Sequence, residues 1–338
     1  ATGVLRTMDV PLQEAQVKLV SHTGSTAPAA APAPLPTALP LPPARFLSTN
    51  VTFASSDGTA LAGTVTIPDG HLARYPAVVL VNGSGPVNRN EQVGPNPVFL
   101  QLATALSNAG FVVLRYDKRG IGQSGGNANA ATRGVLISDV EAAFRFIAVQ
   151  PYVNRSRVFL LGHSEGGELV PSAAIATRGV AGIVLMAPPA LPLAQISMQQ
   201  VLASVPPAKR AATRREEAAA LQKIRDGEQT GPGMAWMRSS MDVDPAAILA
   251  RVRVPVLILQ GADDVQVLSK DVPRLTAAAK SRNRNVTVRI FPGDNHLFMH
   301  ALPGTQSTPQ AALKQYLTVP GRIDPAVLSA LIGWLRRV

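Results

Sequence analysis

Cysteine is absent from this chain, histidine occurs only five times in 338 residues, and aromatic residues make up 4%. Without a thiol there is no disulfide, no thiolate nucleophile and no Cys-ligated zinc or iron–sulfur centre. With so few imidazoles, each can be weighed individually for acid–base work. The scarcity of aromatic rings argues against a surface that stacks nucleic-acid bases, so no nucleic-acid partner is expected. Long apolar runs are missing too, and no segment offers the 18 or so apolar, proline-poor residues of a membrane helix, so no transmembrane segment is expected. The nearest candidate, Gly24–Ala44, is mostly Ala and Pro. Its prolines fix φ and remove backbone donors, which makes it a semi-rigid polyproline-type linker. Acidic residues are the minority, 21 against 32 basic, for a net charge of +11. That balance suggests attraction to anionic surfaces or substrates, and says nothing about fold.

The chain starts at Ala1, with neither Met nor a charged-then-apolar leader pattern. Trimming or removal of a leader would account for this; the tail and linker fit export to the periplasm or medium better. Residues 1–45 read as tail and linker. Beyond them Asn50–Ala54 and Leu61–Ile67 alternate around Ser55–Gly58, which predicts a hairpin. Short apolar runs follow at Ala77–Val81, Phe111–Tyr116, Arg157–Leu161, Gly182–Met186, Val256–Leu259 and Val286–Phe291. Such runs predict strands buried on both faces of a parallel sheet. Helix-period segments lie between them at Val98–Ala109, Gly134–Val149 and Glu165–Thr177. The expected fold is therefore α/β, a mostly parallel sheet with an antiparallel hairpin at one edge. Residues 46–189 and 250–338 would form the core. The strand-free interval 190–249, with its charged stretch Ala208–Arg225, would be a helical lid insertion.

The strongest local signal is Gly162-His163-Ser164-Glu165-Gly166-Gly167, between an expected strand and an expected helix. A G-x-S-x-G in that context is a nucleophile elbow: a tight turn lifts the serine hydroxyl above the sheet and aims the helix N-terminus at the reacting carbonyl. The competing reading is a glycine-rich turn whose serine caps the helix. A nucleophilic serine needs a base, and the base an orienting carboxylate. In chain order Ser, acid, His, the strand Val256–Leu259 leads to Asp263 and Asp264, and the strand Val286–Phe291 leads to Asp294 and His296. Both loops leave the carboxyl edge of the sheet, where open α/β folds place their ligands. Adjacent residues point differently, so only one of Asp263 and Asp264 should reach the imidazole. His300, one turn beyond His296, is expected to be a lid or surface contact. His163 should point away from the cleft, and His22 and His71 need no role. Asp294, His296 and His300 could be read as a metal set; with no second carboxylate–His cluster to support it, no metal is expected.

Attack would leave an oxyanion, and the expected backbone donors are the N–H of Glu165 and that of Ser84, in Asn82-Gly83-Ser84-Gly85-Pro86. Gly120–Gly125 matches the dinucleotide pattern G-x-G-x-x-G, but residues 127–133 separate it from the next helix and no acid ends the next strand. No nucleotide cofactor, nor any other, is expected.

Asn82–Pro86 with Arg89, Tyr116–Ser124, Gly162–Gly167, Gln260–Val267 and Asn295–Phe298 together resemble the α/β-hydrolase superfamily. Within it the chain is similar to a bacterial branch of serine hydrolases described as dienelactone-hydrolase-like, serine-aminopeptidase-like or esterase. The resemblance implies Ser164, Asp264 and His296 as the triad, and Asp117–Gly122 as a structural loop beside the cleft. True dienelactone hydrolases use Cys, which this chain lacks. Dehalogenases and epoxide hydrolases place Asp at the elbow, where this chain has Ser164.

The expected activity is hydrolysis of a small-molecule carboxylic ester through a serine ester. Cleavage of aminoacyl or thioester bonds is the alternative, and a non-enzymatic binding protein a third. An aminopeptidase would need lid carboxylates, and Glu216, Glu217 and Glu228 are available. Trp236, Met237 and Met241, with Met198 and Met234, could line the substrate pocket, since Met beside Trp is adaptable. Packing of the lid onto the core is the other reading of the same residues.

Overall fold

The computed structural model describes residues 37–70 and 72–338. The tail, most of the Gly24–Ala44 linker, His22 and His71 lie outside the described residues.

Eight strands form one sheet in the order β1-β2-β6-β3-β7-β8-β9-β10. β1 (Phe46–Ala54) and β2 (Ala60–Pro68) make the antiparallel edge hairpin, and β2 also pairs antiparallel with β6 (Val112–Tyr116). From β6 outward, β3 (Tyr75–Val81), β7 (Val153–His163), β8 (Val180–Met186), β9 (Val256–Gly261) and β10 (Val286–Phe291) all run parallel. A separate two-stranded ribbon, β4 (Gln92–Val93) with β5 (Asn96–Pro97), follows the loop after β3. The predicted strands and helices are present, most extended or trimmed by a few residues.

The apolar runs create two cores because successive strand side chains face opposite ways. In β3, Ala77, Val79 and Val81 join one cluster with Val140, Phe144 and Ile147 of the helix Arg133–Ala148 and Leu169 and Val170 of the helix Glu165–Ala176. Val78 and Leu80 join the other, with Phe99, Leu102 and Leu106 of the helix Val98–Asn108 and Val327, Leu331 and Trp334 of the helix Pro325–Arg337. Each fully buried Leu or Ile there contributes roughly 1.5–3 kcal/mol. β10 departs from expectation. It is the outer edge strand and is only partly packed: Val286 and Val288 touch one core and Phe291 the other, while Arg289 and Ile290 are exposed. The charged Arg289 on that edge discourages pairing with another chain.

Between β8 and β9 the chain forms helices Leu193–Ala203, Arg210–Arg225, Met234–Ser240 and Pro245–Leu249. The first three carry a small core of their own, formed by Ala194, Leu221, Ile224, Met237 and Met241. Lys209, Arg210, Arg214, Arg215, Lys223 and Arg225 are all exposed, so the basic stretch is a solvated face. No helix among the described residues is long and apolar enough to cross a membrane.

Candidate active site

β7 ends in a turn so tight that Ser164 takes φ 52° and ψ −119°, a conformation that L-residues rarely hold. The glycines make the turn possible. A Cβ on Gly162 would collide with the Gly166 carbonyl, and one on Gly166 with the carbonyl of Val81 on the neighbouring strand. The Ser164 side chain makes no capping hydrogen bond, which removes the capping reading.

His296 is 1% exposed, and its Nδ1 lies 2.7 Å from Asp264 Oδ2. Asp264 is buried and fully engaged: Oδ1 accepts from the N–H of Gln266 (2.8 Å) and Val267 (2.9 Å), and Oδ2 also accepts from Gln260 Nε2 (2.9 Å). Such a carboxylate holds the proton on Nδ1 and leaves the lone pair on Nε2. That Nε2 is buried and has no hydrogen-bond partner among the described residues, and His296 and Ser164 line the same cleft. It is Asp264, not Asp263, that meets the imidazole; the Asp263 N–H donates to the Asp294 carbonyl at 2.9 Å.

His163 corrects the expectation that it points away. It is buried and lines the cleft, with its ring centroid 4.9 Å from that of His296. Its Nδ1 lies 3.1 Å from Glu91 Oε1 and its Nε2 2.9 Å from the His296 carbonyl. Burial disfavours the imidazolium, but the Glu91 carboxylate and the His296 carbonyl outweigh it, and the pKa is raised. Glu91 Oε1 also accepts from the Gly83 N–H, at 2.5 Å. One carboxylate thus ties the loop after β3 to the histidine beneath His296.

The Ser84 N–H donates to no backbone carbonyl, and the Glu165 N–H opens a helix, where first-turn donors lack intrahelical acceptors. Ser84 and Ser164 line the cleft together. Lys118 braces the segments that carry both donors: its Nζ donates to the Gly83 carbonyl (2.9 Å) and to Glu165 Oε2 (2.7 Å). The other Glu165 oxygen accepts from Trp236 Nε1. The side chain of Glu165 is therefore a buried hub between core and insertion. Lys118→Met would leave this carboxylate without its cation, at a cost of about 3 kcal/mol. Urea denaturation should read that loss, and turnover should fall about tenfold as the donors loosen; an unchanged midpoint would show the pair to be unimportant.

None of the expected pocket residues lines the cleft: Trp236 is half-buried against Glu165, and Met237 and Met241 are buried in the insertion's own core. Their apolar side chains gain more from packing the insertion than from facing a wet cleft. The cleft wall is built instead by Val93, Leu297, Leu313 and Leu317. Leu313 and Leu317 come from the helix Pro309–Thr318, one turn apart on the same face. The volume beside Ser164 is only about 40 Å³. The Asp117 loop is structural in its contacts: Asp117 accepts from Arg89 Nη2 (2.6 Å), the Arg89 N–H (2.7 Å) and the Gln123 N–H (3.0 Å). These bonds to Arg89 and Gln123 hold its pKa below the usual carboxylate value, against the effect of burial.

Residues 96–302, more than half of the chain, match the family described as serine aminopeptidase, S33. Esterase EstD of Thermotoga maritima is 33% identical over 282 residues, which are 81% of this chain and 65% of that protein. Dipeptidyl aminopeptidase BIII of Pseudoxanthomonas mexicana is 27% identical, over 81% of this chain and 39% of its own length. The chain thus spans less than two thirds of the length of either curated relative. Among solved structures, an esterase of Pyrococcus furiosus superposes with a TM-score of 0.57 at 15% identity, covering 86% of this chain and 90% of that one. That likeness concerns the fold, which is the α/β-hydrolase fold. With residues 96–302 spanning the elbow, the acid loop and the histidine loop, the chain belongs to the serine aminopeptidase, S33, family.

Proposed function

We infer that this chain is a serine hydrolase that cleaves carboxylic esters with short acyl groups. Ser164 attacks the ester carbonyl while His296 Nε2 takes its proton and Asp264 holds the imidazole. The Ser84 and Glu165 N–H groups receive the oxyanion, each worth roughly 2.7–4 kcal/mol in the transition state. The alcohol leaves with the proton from His296, and a water activated by the same imidazole then releases the acid. The single observation that carries this reading is the buried Asp264–His296 pair at 2.7 Å, with its free Nε2 on the same cleft as a serine at φ 52°. The absence of a Ser164–His296 hydrogen bond agrees with it, since such contacts tighten when substrate binds. Likeness to esterase EstD supports the ester preference.

The cleft sets the acyl size. The cleft beside Ser164 is narrow and walled by Leu297, Leu313 and Leu317, which favours a short apolar acyl group. The segment 190–249 would act as a lid through its contact beside the nucleophile, where Trp236 Nε1 donates to Glu165. An aminopeptidase reading has one observation in its favour: Glu91 Oε2 is buried beside the cleft without a hydrogen-bond partner. Such an oxygen could accept a substrate ammonium group.

A panel of 4-nitrophenyl esters from acetyl to octanoyl, run beside aminoacyl arylamides, tests both readings. The expected outcome is highest kcat/KM for acetyl or propionyl and at least a tenfold loss by octanoyl. Activity confined to the arylamides would overturn the esterase reading.

A further inference from the structure

Behind the His296 loop, on the side away from Ser164, the structure gathers three groups that the proposed ester chemistry does not use. Asp294, His300 and Asp324 each bring one ligand atom within 4.8 Å of the others. Asp294 is fully buried, and among the described residues neither of its carboxylate oxygens has a hydrogen-bond partner. The exposed imidazole of His300 brings Nδ1 to 3.2 Å from Asp294 Oδ1, outside hydrogen-bond geometry but oriented toward the carboxylate. Asp324 caps the helix Pro325–Arg337 through Oδ1, which accepts from the Ala326 N–H at 2.7 Å, and so has a second oxygen for another partner. His296 belongs to another site, because its Nδ1 is taken by Asp264. The grouping therefore differs from the Asp294, His296, His300 set that the sequence offered no reason to favour, and its third member comes from thirty residues further along the chain.

We propose that Asp294, His300 and Asp324 form a binding site for a single first-row divalent cation, with zinc as the best fit, which fixes the loop that carries His296 to the start of the last helix. Two carboxylates and one imidazole are the mixed oxygen–nitrogen donors that zinc accepts; calcium and magnesium favour all-oxygen sets. Two charges of −1 balance one of +2, which relieves the cost of a buried carboxylate with no counterion. His300 and Asp324 also line a cavity of about 500 Å³ that does not reach Ser164, and this gives the ion a path of entry and a water to complete its shell. The backbone already couples the three segments. The Asp324 N–H donates to the Phe298 carbonyl at 2.8 Å, and the Asp294 carbonyl accepts from Asp263, next to the acid of the triad.

The test is calorimetric titration of Zn²⁺ into the whole chain after removal of metal with a chelator. One ion should bind per chain, and both His300→Gln and Asp294→Asn should weaken binding on the order of 100-fold or more. The His300 side chain is 73% exposed, so His300→Gln should keep the metal-free thermal midpoint and serves as the variant whose folding is safe. No one-to-one binding by the unaltered chain, or binding that survives in His300→Gln, overturns the proposal.

Discussion

Replacing Ser164 by Ala should abolish ester turnover, a loss of about a million-fold in kcat, while leaving the fold intact. The size follows from the unit character of a nucleophile, base and carboxylate: losing the nucleophile removes as much as losing all three. The intact fold follows from geometry. The Ser164 side chain makes no capping bond, and Ala at φ 52° carries the same Cβ strain as Ser, so neither contact nor conformation changes. Initial rates on 4-nitrophenyl acetate, with a thermal midpoint for each protein, check both halves. A residual rate within a hundredfold of the unaltered chain would mean that another group carries the chemistry.

Asp264→Asn should cost about ten-thousandfold in kcat, and Asp263→Asn less than about twofold. Every group that meets the Asp264 carboxylate is a donor: two backbone N–H groups on Oδ1, and Gln260 Nε2 with His296 Nδ1 on Oδ2. Asparagine must turn its NH₂ toward one of these pairs. The Oδ2 side can adapt, because Gln260 has an unpartnered Oε1 to offer by flipping its amide. His296 would then accept at Nδ1 and carry its proton on Nε2, which is the wrong tautomer for taking one from Ser164. Asp263 touches neither ring nitrogen, so its substitution is felt only at the loop. Comparing the two variants at equal folded fraction decides the assignment, and the opposite ranking would move the acid to Asp263.

What the sequence made legible, and what it did not, divides by range. The strands and elbow were readable because their causes are local. Runs such as Val78-Val79-Leu80-Val81 want burial on both faces, and the tight turn leaves no room for a Cβ at Gly162 or Gly166. The order of elbow, acid loop and histidine loop follows from the parallel crossovers. Glu91 was invisible by the same logic, because it meets His163 across 72 residues and no local pattern marks it. Lys118 lies in a noticed stretch, yet its partners Gly83 and Glu165 are 35 and 47 residues away. The pocket wall was misplaced for a different reason. Met237 and Met241 have the chemistry of an adaptable lining, but the insertion buries them with Ala194, Leu221 and Ile224 in its own core. Leu313 and Leu317 took that place from a helix beyond the last strand, where helical spacing shows an apolar face without saying what it covers.

The most direct measurement is intact-mass analysis after treatment with a fluorophosphonate, followed by peptide mapping. A serine activated by His296 and facing the two oxyanion donors should take up one phosphonyl group per chain, on the peptide that contains Ser164. The Ser164→Ala chain should take up none. Full labelling of that variant, or a phosphonyl group mapped to another residue, would contradict the account.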